Sequence, residues 1–145
     1  MKFSMRRRAK TVMIVAAVMT TATMTIGSGT ASAAIPNNVR FMDTGMQGDG
    51  SRSMAIYVNG TLSGTAYWKA NGDTLQAVDP HSDGWGIYTY LGTSPVREVT
   101  TYGHKAPYTA TKGGNLPEDK KYTWWACIGS DTGGLVCSDL YNVTS

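Results

Sequence analysis

Beyond residue 53 the chain reads as short runs in which apolar and polar side chains alternate, separated by Gly, Asn, Asp and Pro. No stretch there keeps the three-to-four spacing of an amphipathic helix, so strands and turns are predicted throughout. Met54, Ile56 and Val58 fall on one face of a strand over 54–58. Asn59-Gly60 follows, a pair that tolerates positive φ at both central turn positions and predicts a tight hairpin. The return strand covers 61–69, with Leu62, Ala66 and Trp68 on one side, Tyr67 on the other, and Gly64 marking a bulge. Asn71-Gly72 predicts a second hairpin into a strand over 74–79. Residues 80–84 turn the chain into 85–91, a fifth strand covers 96–102, and 122–128 with 135–143 make a last hairpin. Trp68, Trp85, Trp124 and Ile87 need a second layer to bury them. The predicted fold class is therefore all-β, an antiparallel sandwich or flattened barrel of about seven short strands.

Two stretches break the rhythm. Residues 34–53 carry Pro36, Gly45, Gly48 and Gly50 and read as an extended segment ahead of a sandwich domain at 54–145. Residues 103–121, rich in Gly, Pro and charge, read as a long loop, a length that is uncommon in compact domains and often functional.

The first 33 residues are of another kind. Lys2, Arg6, Arg7, Arg8 and Lys10 precede an apolar run over 12–26, and Ala31-Ser32-Ala33 has the small-x-small pattern of a cleavage site. This is the layout of a secretory signal peptide and predicts an extracellular protein. It also changes the charge. Five of the 13 Lys and Arg residues lie in this segment, which leaves eight against 10 acidic residues and a net charge of −2 over 34–145. A nucleic-acid partner is not expected of so acidic a chain, and no later segment has the length of a membrane span. Cys127 and Cys137 are the two cysteines, and in an exported chain they predict one disulfide across the last hairpin. Closing so short a loop contributes on the order of 3 kcal/mol.

Motifs with chemical meaning are few. Asp43-Thr44-Gly45 and Asp131-Thr132-Gly133 match the Asp-Thr-Gly of aspartic proteases, which share a proton between two carboxylates. The chain is short for that architecture, and Asp-x-Gly is also ordinary turn chemistry. The stretch from Asp79 to Gly84 has the acidic spacing of half an EF-hand loop, but the twelfth position is Tyr90 instead of a bidentate Glu. His81 and His104 are isolated, and Glu98 and Glu118 are the only glutamates. No catalytic residue, metal or cofactor is expected. The aromatic residues are more informative. Tyr88, Tyr90 and Trp125 fall out of phase with the core positions of their strands and are candidates for an exposed binding face. Val39 and Phe41 alternate and are candidates for pairing with the edge of another chain. Lys105 and Lys112, in the 103–121 stretch, are candidates for entering an acidic pocket on a partner.

The run from Gly72-Asp73-Thr74-Leu75 to Asp83-Gly84-Trp85-Gly86, followed by Lys121-Tyr122 through Cys137-Ser138, resembles small secreted actinobacterial β-proteins. Their class includes the adaptor subunit of umbrella toxin particles, which joins a stalk protein to lectin-like arms. The resemblance covers roughly residues 54–140 and implies a scaffold role with secreted protein partners. The expected function is a secreted, non-catalytic protein-interaction module. The alternatives are an inhibitor of a protease or other hydrolase, acting through 103–121, and a carbohydrate-binding module.

Overall fold

The computed structural model describes residues 34–145, and the predicted export segment lies outside the described residues. Ten strands form here: β1 (Val39–Asp43), β2 (Arg52–Val58), β3 (Thr61–Lys69), β4 (Thr74–Asp79), β5 (Gly86–Leu91), β6 (Arg97–Thr100), β7 (Tyr108–Lys112), β8 (Lys121–Ser130), β9 (Gly134–Cys137) and β10 (Tyr141–Thr144). They make two antiparallel sheets packed as a sandwich, the first in the order β1-β2-β3-β4-β7 and the second β10-β8-β5-β6. β9 also pairs with β8, on the edge it shares with β10. Between β9 and β10 the chain bends, and Ser138 fills the gap: its N–H donates to the Ala126 carbonyl and its hydroxyl accepts from the Ala126 N–H.

The excess over seven strands has local causes. Two strands lie in stretches that read as extension and loop. β1 forms because Val39 and Phe41 alternate and pack half-buried against the core, opposite Val58 and Ile56. The sandwich therefore begins at residue 39, ahead of the expected boundary at 54. β7 splits the expected 103–121 loop and pairs with β4 from Tyr108 to Lys112. Its inward side chains are Ala110 and the half-buried Tyr108, a pattern too short to signal a strand. The 135–143 strand divides at the bend into β9 and β10.

The turns follow their residue chemistry. Asn59 and Gly60 both take positive φ, as a two-residue hairpin requires. The second hairpin is longer than expected. It spans 70–73, with positive φ at Gly72 and Asp73 in place of Asn71 and Gly72. Asp73 is held there by the fold: its buried carboxylate accepts from the Leu116 N–H at 2.6 Å, and its carbonyl accepts from Arg97 at 2.7 Å. The expected bulge lies in β3, where Ile56 faces Gly64 and Tyr57 faces Leu62, leaving Ser63 as the extra residue.

The core is the space between the sheets. Met54, Ile56, Val58, Ala66, Trp68, Leu75 and Ala77 enter it from the first sheet, and Ile87, Leu91, Tyr122, Trp124, Ala126, Ile128 and Val143 from the second. Trp124 is fully buried, and its indole N–H is a buried donor with no partner among the described residues. At one end the sheets are tied by polar contacts. The Arg52 guanidinium donates to both Asp43 oxygens at 2.7 and 2.6 Å and to the Asn142 carbonyl at 3.0 Å, and lies 4.3 Å from the Tyr141 ring centre. Trp68 donates its indole N–H to the Thr144 carbonyl at 3.0 Å. Cys127 and Cys137 sit directly opposite each other on β8 and β9 and form the disulfide, which is consistent with an extracellular location.

The two sheets approach each other closely at Gly64. A β-carbon there would collide with the Ile87 side chain and lie 2.9 Å from the Val78 carbonyl oxygen. Gly64→Ala is expected to cost about 2 kcal/mol in denaturant unfolding. Ile87→Ala should cost less in the Gly64→Ala background than alone, because it removes both side-chain carbons that the new methyl would meet. Simple additivity of the two substitutions would show that this contact does not limit packing.

Candidate functional site

Strands β5 and β8 lie side by side, and their alternation decides which aromatic rings reach the surface. With Ile87, Thr89 and Leu91 turned into the core, Tyr88 and Tyr90 must point outward. With Tyr122, Trp124, Ala126 and Ile128 turned inward, Trp125 and Cys127 must point outward. Register then places Tyr90 opposite Trp125 and Tyr88 opposite Cys127. The rings stack: Tyr90 and Trp125 have centroids 5.1 Å apart at 10°, and Tyr88 and Tyr90 are 6.4 Å apart at 7°. Tyr102, just beyond β6, extends the ladder over Tyr88 at 6.2 Å. It gets there because Gly86 lacks a side chain, since a β-carbon would lie 2.6 Å from the Tyr102 Cα. Tyr88 is buried within the stack, whereas Tyr90, Trp125 and Tyr102 are half-buried with one side to solvent.

Carboxylates flank this ladder. Glu98 on β6 is directly opposite Tyr90. Asp131, in the β8–β9 turn, accepts a 2.6 Å hydrogen bond from the Tyr88 hydroxyl. Burial, followed by the repulsion of Glu98 and Asp131, pushes the Tyr90 phenol up to about 12. The Tyr88 phenol is also pushed up, by burial and by its bond to Asp131. Both rings therefore stay neutral at physiological pH and present hydroxyl donors beside fixed negative charge.

A cleft of about 280 Å³ opens at the end of the ladder, where the β4–β5 and β6–β7 connections cross between sheets. Tyr102 lines it, with Asp79, His81, Trp85, His104 and Lys105. Asp79 is 4% exposed and engaged by its own loops: it accepts from the His81 N–H at 3.0 Å and from the Thr101 hydroxyl at 3.5 Å. That hydroxyl in turn accepts the Ile87 N–H at 2.8 Å. Asp83 accepts from the Trp85 N–H at 3.0 Å, so both carboxylates of the EF-hand-like stretch cap backbone groups. His104 stacks on Tyr108 at 4.0 Å. Among the described residues no three His, Cys, Asp or Glu side chains gather as a metal site would need.

Of the residues singled out in the sequence, Tyr88, Tyr90 and Trp125 come together on one face. Val39 and Phe41 do not join them. Their side chains are committed to the chain's own first sheet, where β1 is an edge strand. Lys105 and Lys112 are separated by β7, Lys105 in the cleft and Lys112 at the strand's last position. The two Asp-Thr-Gly motifs stay apart in function as well: Asp43 holds Arg52 in the first sheet, and Asp131 holds Tyr88 in the second. Tyr102, Glu98 and Asp131 were not singled out for this face. Each lies on a different segment, and only the long-range register of β5 with β6 and β8 gathers them.

No protein-family model, no curated protein and no solved structure matches this chain.

Two outcomes follow from these contacts. Ultraviolet titration of the phenols should show a step near pH 12 that Tyr90→Phe removes; a step that persists in Tyr90→Phe would contradict the burial and flanking charge that raise this phenol. Asp79 is raised above 3.8 by burial. Below that value both folded and unfolded chains hold the proton, and above the raised folded value the unfolded chain ionises more cheaply. Stability therefore falls as pH climbs from 3.8 through the folded value. Asp79→Asn should flatten that fall in urea-unfolding midpoints measured across the interval, and an unchanged slope would assign it elsewhere. Asp43 has the opposite sign: Arg52 holds it below 3.8, and its contribution is lost only as pH drops through that depressed value.

Proposed function

We propose that this is a secreted, non-catalytic protein-interaction module that presents the outer face of the second sheet to a partner protein. An adaptor role within an extracellular assembly, the role implied by the resemblance to small secreted actinobacterial β-proteins, fits such a module. The observation that carries the reading is the stacked ladder Tyr102–Tyr88–Tyr90–Trp125. Rigid Trp and Tyr side chains supply large contact area at low entropic cost and dominate the energetics of protein interfaces. Here they are held in place before any partner arrives, so little ordering remains to be done on binding.

The rival ligand is a polysaccharide. Sugar platforms use aromatic rings with open faces, whereas Tyr90 stacks with both Tyr88 and Trp125. That arrangement favours a protein partner that packs against ring edges and hydroxyls. The inhibitor reading asks for one continuous rigid loop over 103–121, and β7 occupies the middle of that stretch.

The test is native affinity purification from culture fluid with quantitative mass spectrometry, comparing the native protein with Trp125→Ala. A co-secreted protein recovered at fixed stoichiometry, and reduced at least about tenfold by the substitution, is the expected result. Capture that ignores Trp125→Ala, or Trp125-dependent retention on insoluble polysaccharide without any protein partner, would overturn the reading. An unchanged thermal unfolding midpoint of Trp125→Ala shows that the variant is folded.

A further inference from the structure

We infer that the partner protein lays an acidic segment, a run of Asp or Glu, into a cationic groove at the end of the sandwich away from His81 and His104. This rests on the protein-interaction reading for the nature of the partner, and adds a second contact beside the aromatic face. The groove lies where the β5–β6 and β7–β8 connections meet. Two clefts of about 290 and 460 Å³ adjoin there and share Thr93, Ser94 and Leu116 as a common wall. Arg97, which opens β6, and Lys112, which closes β7, line the first. Lys120 and Lys121, where the chain enters β8, line the second.

Four of the eight Lys and Arg residues of 34–145 gather here, in a stretch of chain with an acidic excess, and among the described residues neither cleft has a carboxylate in its wall. The sorting of charge is local. Glu118 and Asp119 directly precede Lys120 and Lys121 but line a different cleft, together with Asp49. Arg97 is held ready. Its Nη1 donates to the Asp73 carbonyl at 2.7 Å and to the Gly114 carbonyl at 3.4 Å, and a β-carbon on Gly114 would lie 2.9 Å from Nη2. Those bonds go to neutral carbonyls and leave the charge in place. The cations are spread two to a cleft instead of converging on one point. The groove therefore suits a chain of repeated negative charges better than a single small anion. Between the cations lie Leu116, Pro95 and the exposed Val96, with no Asn, Gln, Asp or Glu side chain to tie sugar hydroxyls. An acidic peptide supplies carboxylates for the cations and side-chain carbons for the apolar wall. The groove also runs on from the aromatic ladder. Lys121, Thr123 and Trp125 alternate onto one face of β8, and the Gly92 N–H donates to the Thr123 carbonyl at 2.7 Å, which fixes the cleft wall beside them. The four residues from Lys121 to Trp125 cover roughly 13 Å, a span that about four residues of an extended peptide match.

The experiment titrates the isotope-labelled, disulfide-intact protein with four probes: acetylated hexaglutamate, acetylated hexaglutamine, a galacturonate oligomer of the same charge as hexaglutamate, and inorganic phosphate. The readout is the backbone amide resonances of Thr93, Ser94 and Leu116. Hexaglutamate should give a saturable shift there, weakened by added salt. Lys112→Gln and Lys121→Gln, one in each cleft and both at exposed positions, should each weaken it about threefold and together about tenfold. The double variant should also lower recovery of the co-secreted protein. Binding of hexaglutamine, galacturonate or phosphate as tight as that of hexaglutamate would overturn the inference. So would indifference to the double variant, the absence of a saturable shift, or the same shift on raising the protein concentration alone, which would give the groove to a second copy. If hexaglutamate fails while Trp125-dependent capture persists, the acidic segment is wrong and the interaction reading stands. If capture ignores both the lysine pair and Trp125→Ala, both fall.

Discussion

The phase of two adjacent strands governs this molecule. β5 and β8 pair over six residues, and each alternates bulky aliphatic or indole side chains with phenols, an indole and a cysteine. Because successive side chains leave a strand on opposite faces, Ile87, Leu91, Trp124 and Ile128 are buried only if Tyr88, Tyr90 and Trp125 are not part of that core. A slip of one residue would exchange the two sets and open the core. The force that assembles the sandwich thus also fixes the composition of its outer face. Trp124 and Trp125 make the point within one dipeptide: one is fully enclosed, the other stacks on Tyr90 beside solvent.

Polar contacts settle what burial leaves free. Arg52 joins β1, β2 and β10, so the edge of one sheet is fastened to the edge of the other. Asp73 and Arg97 together hold the connection between β7 and β8. Asp79 and Thr101 complete hydrogen bonds where the chain leaves one sheet for the other and the ladder is interrupted. Each of these carboxylates has a structural task, as Asp131 has in holding the Tyr88 hydroxyl, whereas Glu98 borders the aromatic ladder.

Much of this was legible in the chain, for a reason that also marks where legibility stops. Met54-x-Ile56-x-Val58 and Asn59-Gly60 declare a strand and its turn within seven residues, and the hairpin of β2 and β3 forms as that pattern directs. The out-of-phase positions of Tyr88, Tyr90 and Trp125 were likewise visible, since phase is a local property. β7 was not visible: Tyr-Thr-Ala-Thr-Lys fully buries only Ala110 and half-buries Tyr108, and its strand character comes from pairing with β4. β1 was visible only in part: the alternation of Val39 and Phe41 marks a pairing segment, but the segment itself does not say which edge it joins. The neighbours of the ladder were beyond reach because Glu98, Tyr102 and Asp131 become adjacent to it through pairings between distant segments. Which strands lie side by side depends on the global arrangement, and no short window of residues encodes it.

The margins of the two sheets carry a final consequence. β1, β6, β7 and β10 are four or five residues long, and the first three bear Arg40, Glu98 and Lys112 along their length. Short, charged borders are poor templates for the backbone of another chain. Copies of this molecule crowded together have little means of stitching into fibrils. The broad face of the second sheet differs from these borders in being defined by its side chains, the stacked aromatic ladder, and not by unpaired backbone.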